Sequence, residues 1–213
     1  MIVDERVTSF INSFDNKDIG VAAEIEKEAL EEGVPIVRME TRSFLRSLLL
    51  IKKPMRILEV GTAVGFSAIY MSMYMPKGAH ITTIENWEPR VIKARDNFQR
   101  AGVTDRITLI EGDAADVLKR LDGTYDFIFM DAAKGQYINF LPEVIRLLDD
   151  KGIIVSDNVL QDGEVLDSRF VVERRNRTIH TRMREYLYEL THCDRLDTSI
   201  IPIGDGVALS VSL

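Results

Sequence analysis

Acidic and amide side chains follow two short apolar runs of this chain, at the point where each run ends. Asp131 closes the run Phe-Ile-Phe-Met, and Asp157 and Asn158 close the run Ile-Ile-Val-Ser. Because neighbouring parallel strands lie about 4.8 Å apart, acids at two strand ends can share one ion. Two carboxylates and an amide oxygen suit Mg²⁺, Mn²⁺ or Ca²⁺ and disfavour zinc. The alternative is a pair of unconnected strand-end acids and an asparagine in a turn.

A lysine lies close to the first of these acids. Lys134 follows Asp131 within the segment Asp-Ala-Ala-Lys-Gly-Gln-Tyr. Beside a cation that binds a hydroxyl group, this lysine could accept the hydroxyl proton as a general base. Without the neighbouring acids it would be an ordinary solvated loop lysine. The two segments together predict a site that activates a hydroxyl oxygen.

A glycine turn offers a place for a cofactor. Residues 55–67 read MRILEVGTAVGFS, which predicts a buried strand, a tight turn from Gly61 to Gly65 and the start of a helix. The spacing is neither the G-x-G-x-x-G of dinucleotide sites nor a phosphate-binding P-loop. Glu59, just before the turn, could hold the ammonium group of S-adenosylmethionine (SAM), which has no pyrophosphate. The alternative is an ordinary strand-to-helix turn.

A second acid strengthens the cofactor interpretation. The next apolar run, His80 to Ile84, ends in Glu85. An acid at the end of the second strand can accept hydrogen bonds from both ribose hydroxyls of an adenosine ligand. A solvated strand-end glutamate is the alternative, but the turn and the acid together favour a nucleoside cofactor. A further acid, Asp113, follows the third strand.

Composition predicts one domain in a reducing compartment. The chain has 213 residues, of which 46% are hydrophobic, and it contains one cysteine, Cys193, without metal-ligand spacing around it. No run of eighteen apolar residues is present, and the N-terminal residues MIVDERVTSF carry acids where a signal peptide would be basic and then apolar. We therefore expect a cytoplasmic protein that does not span a membrane.

The charge of the chain is unevenly distributed. The formal net charge is −7, which argues against a polyanionic partner for the chain as a whole. Residues 1–33 hold nine acids and three bases, whereas residues 169–184 hold six arginines and one acid. On a helix, positions 174, 177, 181 and 184 share one face, which would be a basic stripe for RNA phosphates. The alternatives are a solvated helix face and a surface between subunits, paired with the acidic N-terminal helices.

The element pattern predicts a parallel sheet with helices on both faces. Amphipathic helices are predicted at 4–14, 18–32 and about 40–50, the first with Val7, Phe10, Ile11 and Phe14 on one stripe. Strands at 57–60, 80–84, 106–110, 126–130 and 152–156 then alternate with helices at 66–75, 88–101, 114–121 and 137–148. After a helix near 172–191, two β-rich runs are joined by Gly204-Asp205-Gly206. So short a link predicts an antiparallel hairpin.

Several motifs together resemble a known family. The segments ILEVGTAVGFSA, IENW, EGDA, FIFMDAAKGQY and VSDNVL resemble the cation-dependent O-methyltransferases of the caffeoyl-CoA and catechol type, from Val34 to Leu213. The resemblance implies an α/β fold of the Rossmann-like, class I SAM-methyltransferase kind, with a seven-stranded, mostly parallel sheet and a C-terminal antiparallel hairpin. It implies one methyltransferase domain, with residues 1–53 as an N-terminal helical cap and residues 54–213 as the core.

The family's site residues are carried over to the matching positions. As SAM contacts the resemblance implies Val37, Glu59, Gly61, Ser67, Glu85, Asp113, Ala114 and Asp131. It implies Asp131, Asp157 and Asn158 as metal ligands, with Mg²⁺ or else Mn²⁺ or Ca²⁺ as the cation. Lys134 and Asp131 match the catalytic positions, so methyl transfer from SAM to a chelated hydroxyl oxygen is the implied reaction.

Within the family, the chain resembles the bacterial tRNA 5-hydroxyuridine methyltransferases. The segments VPI, DAAKGQY and IIPIGDGVALS and the arginine-rich segment carry this similarity. It implies methylation of the tRNA wobble uridine to 5-methoxyuridine, with Arg174, Arg175, Arg177 and Arg184 as RNA-binding candidates, and a homodimer. Two alternatives remain open: a small-molecule catechol or caffeoyl-CoA O-methyltransferase, and a regulatory module that binds SAM or a nucleotide without turnover.

Overall fold

The computed structural model describes residues 2–15 and 19–213. Three helices come first: α1 (Glu5–Asn12), α2 (Val21–Glu31) and α3 (Met39–Lys52). The first helix is shorter than the sequence predicted, because turns already form at residues 13 and 14. The predicted start of the second helix, at residue 18, lies outside the described residues.

Strands and helices then alternate as the sequence predicted. The strands are β1 (Arg56–Val60), β2 (His80–Glu85), β3 (Ile107–Glu111), β4 (Tyr125–Met130), β5 (Leu148–Ser156), β6 (Leu196–Ile201) and β7 (Val207–Ser212). The further helices of the described chain are α4 (Phe66–Tyr74), α5 (Glu88–Arg100), α6 (Ala114–Arg120), α7 (Tyr137–Leu147) and α8 (Arg177–His192). Short 3₁₀ segments lie at Lys134–Gln136 and Gln161–Leu166.

The seven strands found in residues 2–15 and 19–213 form one sheet in the order β3-β2-β1-β4-β5-β7-β6. Strands β1 to β5 run parallel, whereas β7 pairs antiparallel with both β5 and β6. This arrangement confirms the predicted Rossmann-like sheet with its C-terminal antiparallel hairpin. The direction of winding reverses between β1 and β4, and ligands of open α/β sheets bind outside the strand ends at such a point.

Helices bury both faces of the sheet. Alternate residues of β1 point to opposite faces, so Ile57 joins a core that includes Tyr70 of α4, and Leu58 joins a core that includes Val144 of α7. All four of these side chains are fully buried. Because the strands are buried on both faces, they appear in the sequence as continuous apolar runs.

Two arginines of α3 join the N-terminal helices to the core. Arg42 Nη1 lies 2.7 Å from Glu26 Oε2, and the same guanidinium lies 5.5 Å from the ring centroid of Tyr70. Arg46 Nη1 lies 3.1 Å from Asp15 Oδ1. These contacts combine an ion pair with a cation–π contact, which a guanidinium group makes more readily than an ammonium group.

The last helix begins later than the sequence predicted. Residues 172–176 were expected in the helix, but they form turns, and α8 begins at Arg177. The Arg177 side chain donates to the carbonyl oxygens of Phe170 (3.3 Å) and Val172 (3.1 Å), which holds the preceding segment bent back over the start of the helix. No helix in residues 2–15 and 19–213 combines the length and apolarity needed to cross a bilayer.

Candidate active site

A cavity of about 560 Å³ opens at the carboxyl ends of the strands, where β1 and β4 meet. Most of the predicted site residues line it: Gly61, Glu85, Asp113, Ala114, Lys134, Asp131, Asp157 and Asn158. A small recess that shares Gly61 and Asp131 with this cavity is lined by Val37 and Ser67. The fold therefore brings residues from five separate segments of the chain to one place.

The two glycines of the turn after β1 are required by packing. Gly61 has φ 102°, and a Cβ there would collide with the backbone carbonyl oxygen of Asp131. Gly65 has φ 83°, and a Cβ there would lie 2.6 Å from the ring of Phe98. From the sequence, these glycines were expected to let a ligand approach the backbone. In the structure, the residue after β4 and a ring of α5 already leave no room for a side chain at either position.

Glu85 supports this turn from the end of β2. Its Oε2 atom accepts a hydrogen bond from the Ala63 N–H (2.9 Å), and its Oε1 atom accepts from the N–H groups of Asn86 and Trp87 (3.1 Å each). The carboxylate also lines the cavity. Glu85 is thus fixed by backbone donors while one side stays available to a ligand such as a ribose.

Glu59 is a fully buried acid with one unpaired oxygen. Thr83 donates a hydrogen bond to Glu59 Oε2, whereas Glu59 Oε1 has no hydrogen-bond partner. Burial raises the pKa of Glu59 to about 8, although the nearby hydroxyl groups of Ser67 and Thr83 act to lower it. Glu59 does not line the cavity itself, but Ser67 lines the adjoining recess. A buried, unpaired carboxylate oxygen beside this recess fits a cationic group such as the SAM ammonium.

Asp131 and Asp157 lie side by side because their strands are neighbours. Met130 and Ser156 are paired in the sheet, and the Asp157 N–H donates to the carbonyl oxygen of Met130 (2.9 Å). Asp157 is only 1% exposed, and burial together with the negative charge of Asp131 raises its pKa. Burial also raises the pKa of Asp131, although the positive charges of Lys134 and Arg90 oppose this.

The donor set at these strand ends fits a hard divalent cation. Two carboxylates repel each other here, and Asn158, whose side chain carries a further oxygen, lines the same cavity. No cluster of three or more His, Cys, Asp or Glu side chains suited to a metal occurs within the described residues. A cation here would therefore rely on Asn158 as well as on the two acids, and its remaining positions would be open to other oxygens.

A turn-forming aspartate, which the sequence argument did not include in the site, also lines the cavity. Asp205 lies between β6 and β7, and its Oδ2 atom is 3.5 Å from Lys134 Nζ. Tyr137 was missed as well: its hydroxyl donates to the carbonyl oxygens of Met130 (3.0 Å) and Asp157 (3.2 Å). The available signals were the Gly-Asp-Gly link and the tyrosine that ends Asp-Ala-Ala-Lys-Gly-Gln-Tyr.

The four arginines predicted to bind RNA fall into two groups. Arg177 and Arg184 donate to backbone carbonyl oxygens, the latter to Val165 (2.9 Å), so both support the segment before α8. Arg174 and Arg175 lie exposed in the turn that precedes α8, and Arg175 pairs with Glu173 (2.8 Å). Because α8 begins at Arg177, Arg174 does not extend a helical stripe with the other two.

Comparison with known proteins adds to this geometry. The O-methyltransferase family model matches residues 17–213. A catechol O-methyltransferase from Niastella koreensis is 35% identical over 143 residues, which cover 64% of this chain and 65% of that relative, slightly under two thirds of its length. A caffeoyl-CoA O-methyltransferase from Populus kitakamiensis is 31% identical over 182 residues, covering 81% of this chain and 76% of that protein.

Solved structures share the fold over its full extent. The SAH-bound methyltransferase PaMTH1 from Podospora anserina superposes with a TM-score of 0.87 at 27% identity, covering 98% of this chain and 94% of that one. The family match and the shared fold agree with the cavity, the glycine turn and the strand-end acids. The chain therefore belongs to the O-methyltransferase family, which its catechol and caffeoyl-CoA relatives represent.

Proposed function

We propose that the protein transfers the methyl group of SAM to a hydroxyl oxygen of its acceptor with the help of a divalent cation. One arrangement carries this proposal: the carboxylates of Asp131 and Asp157 meet beside the glycine turn, on the wall of a single cavity. The cavity volume of about 560 Å³ is within the range of small-molecule sites.

In this proposal SAM would be held by residues at the carboxyl ends of β1, β2 and β3. Glu59 and Ser67 hold the ammonium group, and Glu85 accepts hydrogen bonds from the ribose. Asp113 and Ala114, at the start of α6, border the adenine, and Val37 closes the recess beside Ser67. Asp131 would contact SAM as well as the cation.

Asp131, Asp157 and Asn158 would hold Mg²⁺, Mn²⁺ or Ca²⁺ in this proposal. When bound, the cation lowers the pKa of the acceptor hydroxyl and orients its oxygen toward the methyl group. Lys134, in its neutral amine form, accepts the hydroxyl proton at Nζ and becomes the ammonium group that Asp205 faces. The S–CH₃ bond breaks as the O–CH₃ bond forms, so the products are a methyl ether and S-adenosylhomocysteine.

As acceptor we propose 5-hydroxyuridine at the wobble position of tRNA, which would become 5-methoxyuridine. Its 5-hydroxyl lies beside the C4 carbonyl, so it offers the adjacent oxygen pair that a chelating cation needs. Charged and polar side chains line the part of the cavity beyond Lys134, namely Arg38, Asp162 and Asp205. A base from a single-stranded loop could be splayed into such a pocket.

The exposed segment before α8 supports an RNA acceptor. Arg169, Arg174 and Arg175 are exposed there, and Phe170 is 88% exposed between them in the sequence. Basic groups interleaved with an exposed aromatic ring suit phosphates and an unstacked base. Arginines so placed would add affinity for RNA that falls as salt rises.

The second candidate is a small-molecule catechol or caffeoyl-CoA acceptor, which the names of the relatives favour. One assay with methyl-labelled SAM and Mg²⁺ distinguishes the two candidate acceptors. We expect label in tRNA that carries 5-hydroxyuridine at concentrations where catechol and caffeoyl-CoA receive little. Efficient labelling of a small catechol with none in that tRNA would refute the RNA acceptor, and no transfer to either would refute the proposed reaction.

We also propose that the protein is a homodimer in which α1 contacts the second copy. Four apolar side chains of this segment are between 47% and 69% exposed: Val7, Phe10, Ile11 and Phe14. An exposed apolar stripe of this kind favours aggregation unless another protein surface covers it. Sedimentation of the protein and of its Phe10→Ser, Phe14→Ser variant tests this: a monomeric wild type, or a variant that remains dimeric, would refute the contact.

A further inference from the structure

Asp205 is a buried acid of the cavity wall to which the proposed reaction gives no role. It is 3% exposed and lies at the centre of the link between β6 and β7. It lines the same cavity as Asp131, Asp157 and Lys134. An acid held in this position at the edge of the sheet needs either a structural or a functional explanation.

The backbone around Asp205 leaves it little freedom. Gly204 has φ 59° and Gly206 has φ 83°, and a Cβ on either would collide with Thr41 or Leu160, respectively. The Leu160 N–H donates to the carbonyl oxygen of Asp205 (3.0 Å). The hairpin link is thereby fixed to the segment that follows Asp157 and Asn158.

Each carboxylate oxygen of Asp205 has its own partner. Oδ1 accepts a hydrogen bond from the backbone N–H of Asp162, and Oδ2 lies 3.5 Å from Lys134 Nζ. Asp162 in turn pairs through its side chain with Arg38 (3.1 Å). Asp205 therefore connects Lys134 with the 3₁₀ segment that contains Asp162, which also lines the cavity.

Lys134 has two kinds of negative neighbour. Its ammonium group pairs with Asp205, but its charge also acts on the carboxylates of Asp131 and Asp157. If Lys134 moved onto those two carboxylates, its ammonium group would take the place of a cation. Asp205 offers the lysine a partner on the hairpin link instead of on β4 or β5, although its own charge also acts on Asp157 and raises the pKa of that carboxyl.

We propose that Asp205 is a positioning residue: it holds the Lys134 ammonium group against the hairpin link, so that Asp131 and Asp157 stay free to bind a divalent cation. The inference rests on the proposed function insofar as Lys134 and the cation serve methyl transfer. It concerns the lysine's position alone, and that position can be measured without turnover.

The test uses Asp205→Asn, which keeps an oxygen for the Asp162 N–H but removes the charge that faces Lys134. Calorimetric titration with Mg²⁺ is expected to show about fivefold weaker binding than in the wild type. The double variant Asp205→Asn, Lys134→Met is expected to regain wild-type affinity, because no ammonium group competes. Glu111→Gln, which removes an exposed acid from the end of β3, is the matched control and should leave Mg²⁺ affinity unchanged.

Activity gives a second readout, and Asp205→Glu gives a conservative replacement. We expect Asp205→Asn to lower kcat about tenfold with little change in KM for SAM, and Asp205→Glu to recover part of kcat. Unchanged Mg²⁺ affinity in Asp205→Asn would overturn the inference. So would a loss of affinity that persists in the double variant, since Asp205 would then act without Lys134.

The outcomes also separate this inference from the proposed function. A wild type that binds no Mg²⁺ or transfers no methyl group refutes the proposed function instead. In that case a crystal structure of Asp205→Asn decides: displacement of Lys134 Nζ toward Asp131 or Asp157 supports the positioning role, and an unmoved Nζ overturns it.

Discussion

The hydroxyl group of Tyr137 donates to the backbone carbonyl oxygen of Asp157 at 3.2 Å, and it also reaches that of Met130 at 3.0 Å. A tyrosine at the start of α7 thereby ties together the ends of two neighbouring strands. Its ring is fully buried and packs edge-on against Tyr186, with 5.3 Å between the ring centroids. The spacing of the two candidate metal ligands thus depends on a helix as well as on the sheet.

Replacing Tyr137 with phenylalanine should therefore weaken both the fold and the cation site. We expect Tyr137→Phe to lower the free energy of unfolding by about 1–3 kcal/mol, because the buried carbonyl oxygen of Asp157 loses this donor, whereas that of Met130 keeps the Asp157 N–H. Urea denaturation measures this change, and Mg²⁺ titration measures the effect on the site. Tyr188→Phe is the control, since Tyr188 is 58% exposed on α8. Equal stability of both variants would contradict the role of the Tyr137 hydroxyl.

Replacing Asp157 with asparagine should have opposite effects with and without metal. In EDTA we expect Asp157→Asn to be more stable than the wild type, because the repulsion between Asp131 and Asp157 is removed. With Mg²⁺ the wild type should gain melting temperature and the variant should not. Turnover should fall more than about 100-fold, since even groups that merely support a metal ligand are worth roughly 10- to 100-fold.

Asp116→Asn serves as control for that experiment, because Asp116 is an exposed acid of α6. Removal of metal from the wild type should likewise abolish methyl transfer, and added Mg²⁺ should restore it. Turnover that is undiminished in EDTA, or a variant that keeps the Mg²⁺-dependent rise in melting temperature, would exclude a cation held by Asp157.

The buried Glu59 should make the ligand-free protein sensitive to pH. Its pKa is raised from 4.5 to about 8 in the folded protein, so between these values the folded state keeps a proton that the unfolded chain releases. Stability then falls as pH rises from 4.5 to 8. We expect Glu59→Gln to flatten this dependence and to stabilise the ligand-free protein at pH 8 by about 2–4 kcal/mol.

The same variant should bind SAM about tenfold or more weakly, because the ammonium group loses a charged acceptor. Denaturation across this pH range and calorimetric titration with SAM measure the two effects. The control is Glu111→Gln, at an exposed acid. Weaker SAM binding without any change in pH dependence would mean that Glu59 is already ionised in the ligand-free protein.

The arginines before α8 should affect RNA binding without affecting chemistry. We expect Arg174→Glu combined with Arg175→Glu to weaken tRNA binding about tenfold at ~0.1 M salt, with unchanged affinity for SAM. Lys77→Glu with Lys119→Glu gives the same change of charge at exposed positions elsewhere and should bind tRNA as the wild type does. Filter binding across a salt series measures both. Equal losses in the two double variants would indicate a general charge effect.

Arg177 and Arg184 are poor choices for that experiment, although the sequence placed them in the same stripe. Both donate to backbone carbonyl oxygens of the segment that precedes α8. Their replacement would disturb this segment, and a loss of RNA binding would not show contact with RNA. The sequence could not reveal this, because the helix start depends on those hydrogen bonds.

The strand-end acids were predictable from the sequence for a simple reason. Parallel strands end at the same edge of a sheet, so Asp131, Asp157 and Asn158 had to come together if the strands were neighbours. Glu59 and Glu85 followed from the same rule. Glu85, Asp131 and Asp157 follow apolar runs directly, and Glu59 lies within one. Such runs can be recognised in the sequence without any knowledge of distant contacts.

Asp205 and Tyr137 were not predictable in this way. Asp205 comes from an antiparallel link, and its approach to Lys134 depends on how β7 is inserted beside β5. Tyr137 lies on a helix, and its hydroxyl reaches the strand ends only through the packing of α7 on the sheet. The reason for Gly61 was likewise hidden, since the obstructing carbonyl oxygen belongs to Asp131, on another strand.

The position of β7 between β5 and β6 constrains the order in which the protein can fold. Because β6 pairs with β7 and not with β5, it can join the sheet only through β7, the inner strand of the hairpin. The partner of Lys134 arrives with that hairpin, long after the first five strands have been synthesised. The residues proposed to bind the nucleoside, such as Glu59 and Glu85, belong to the first strands of the sheet. The contact between Lys134 and Asp205 can form only after β7, the final strand, has paired with β5.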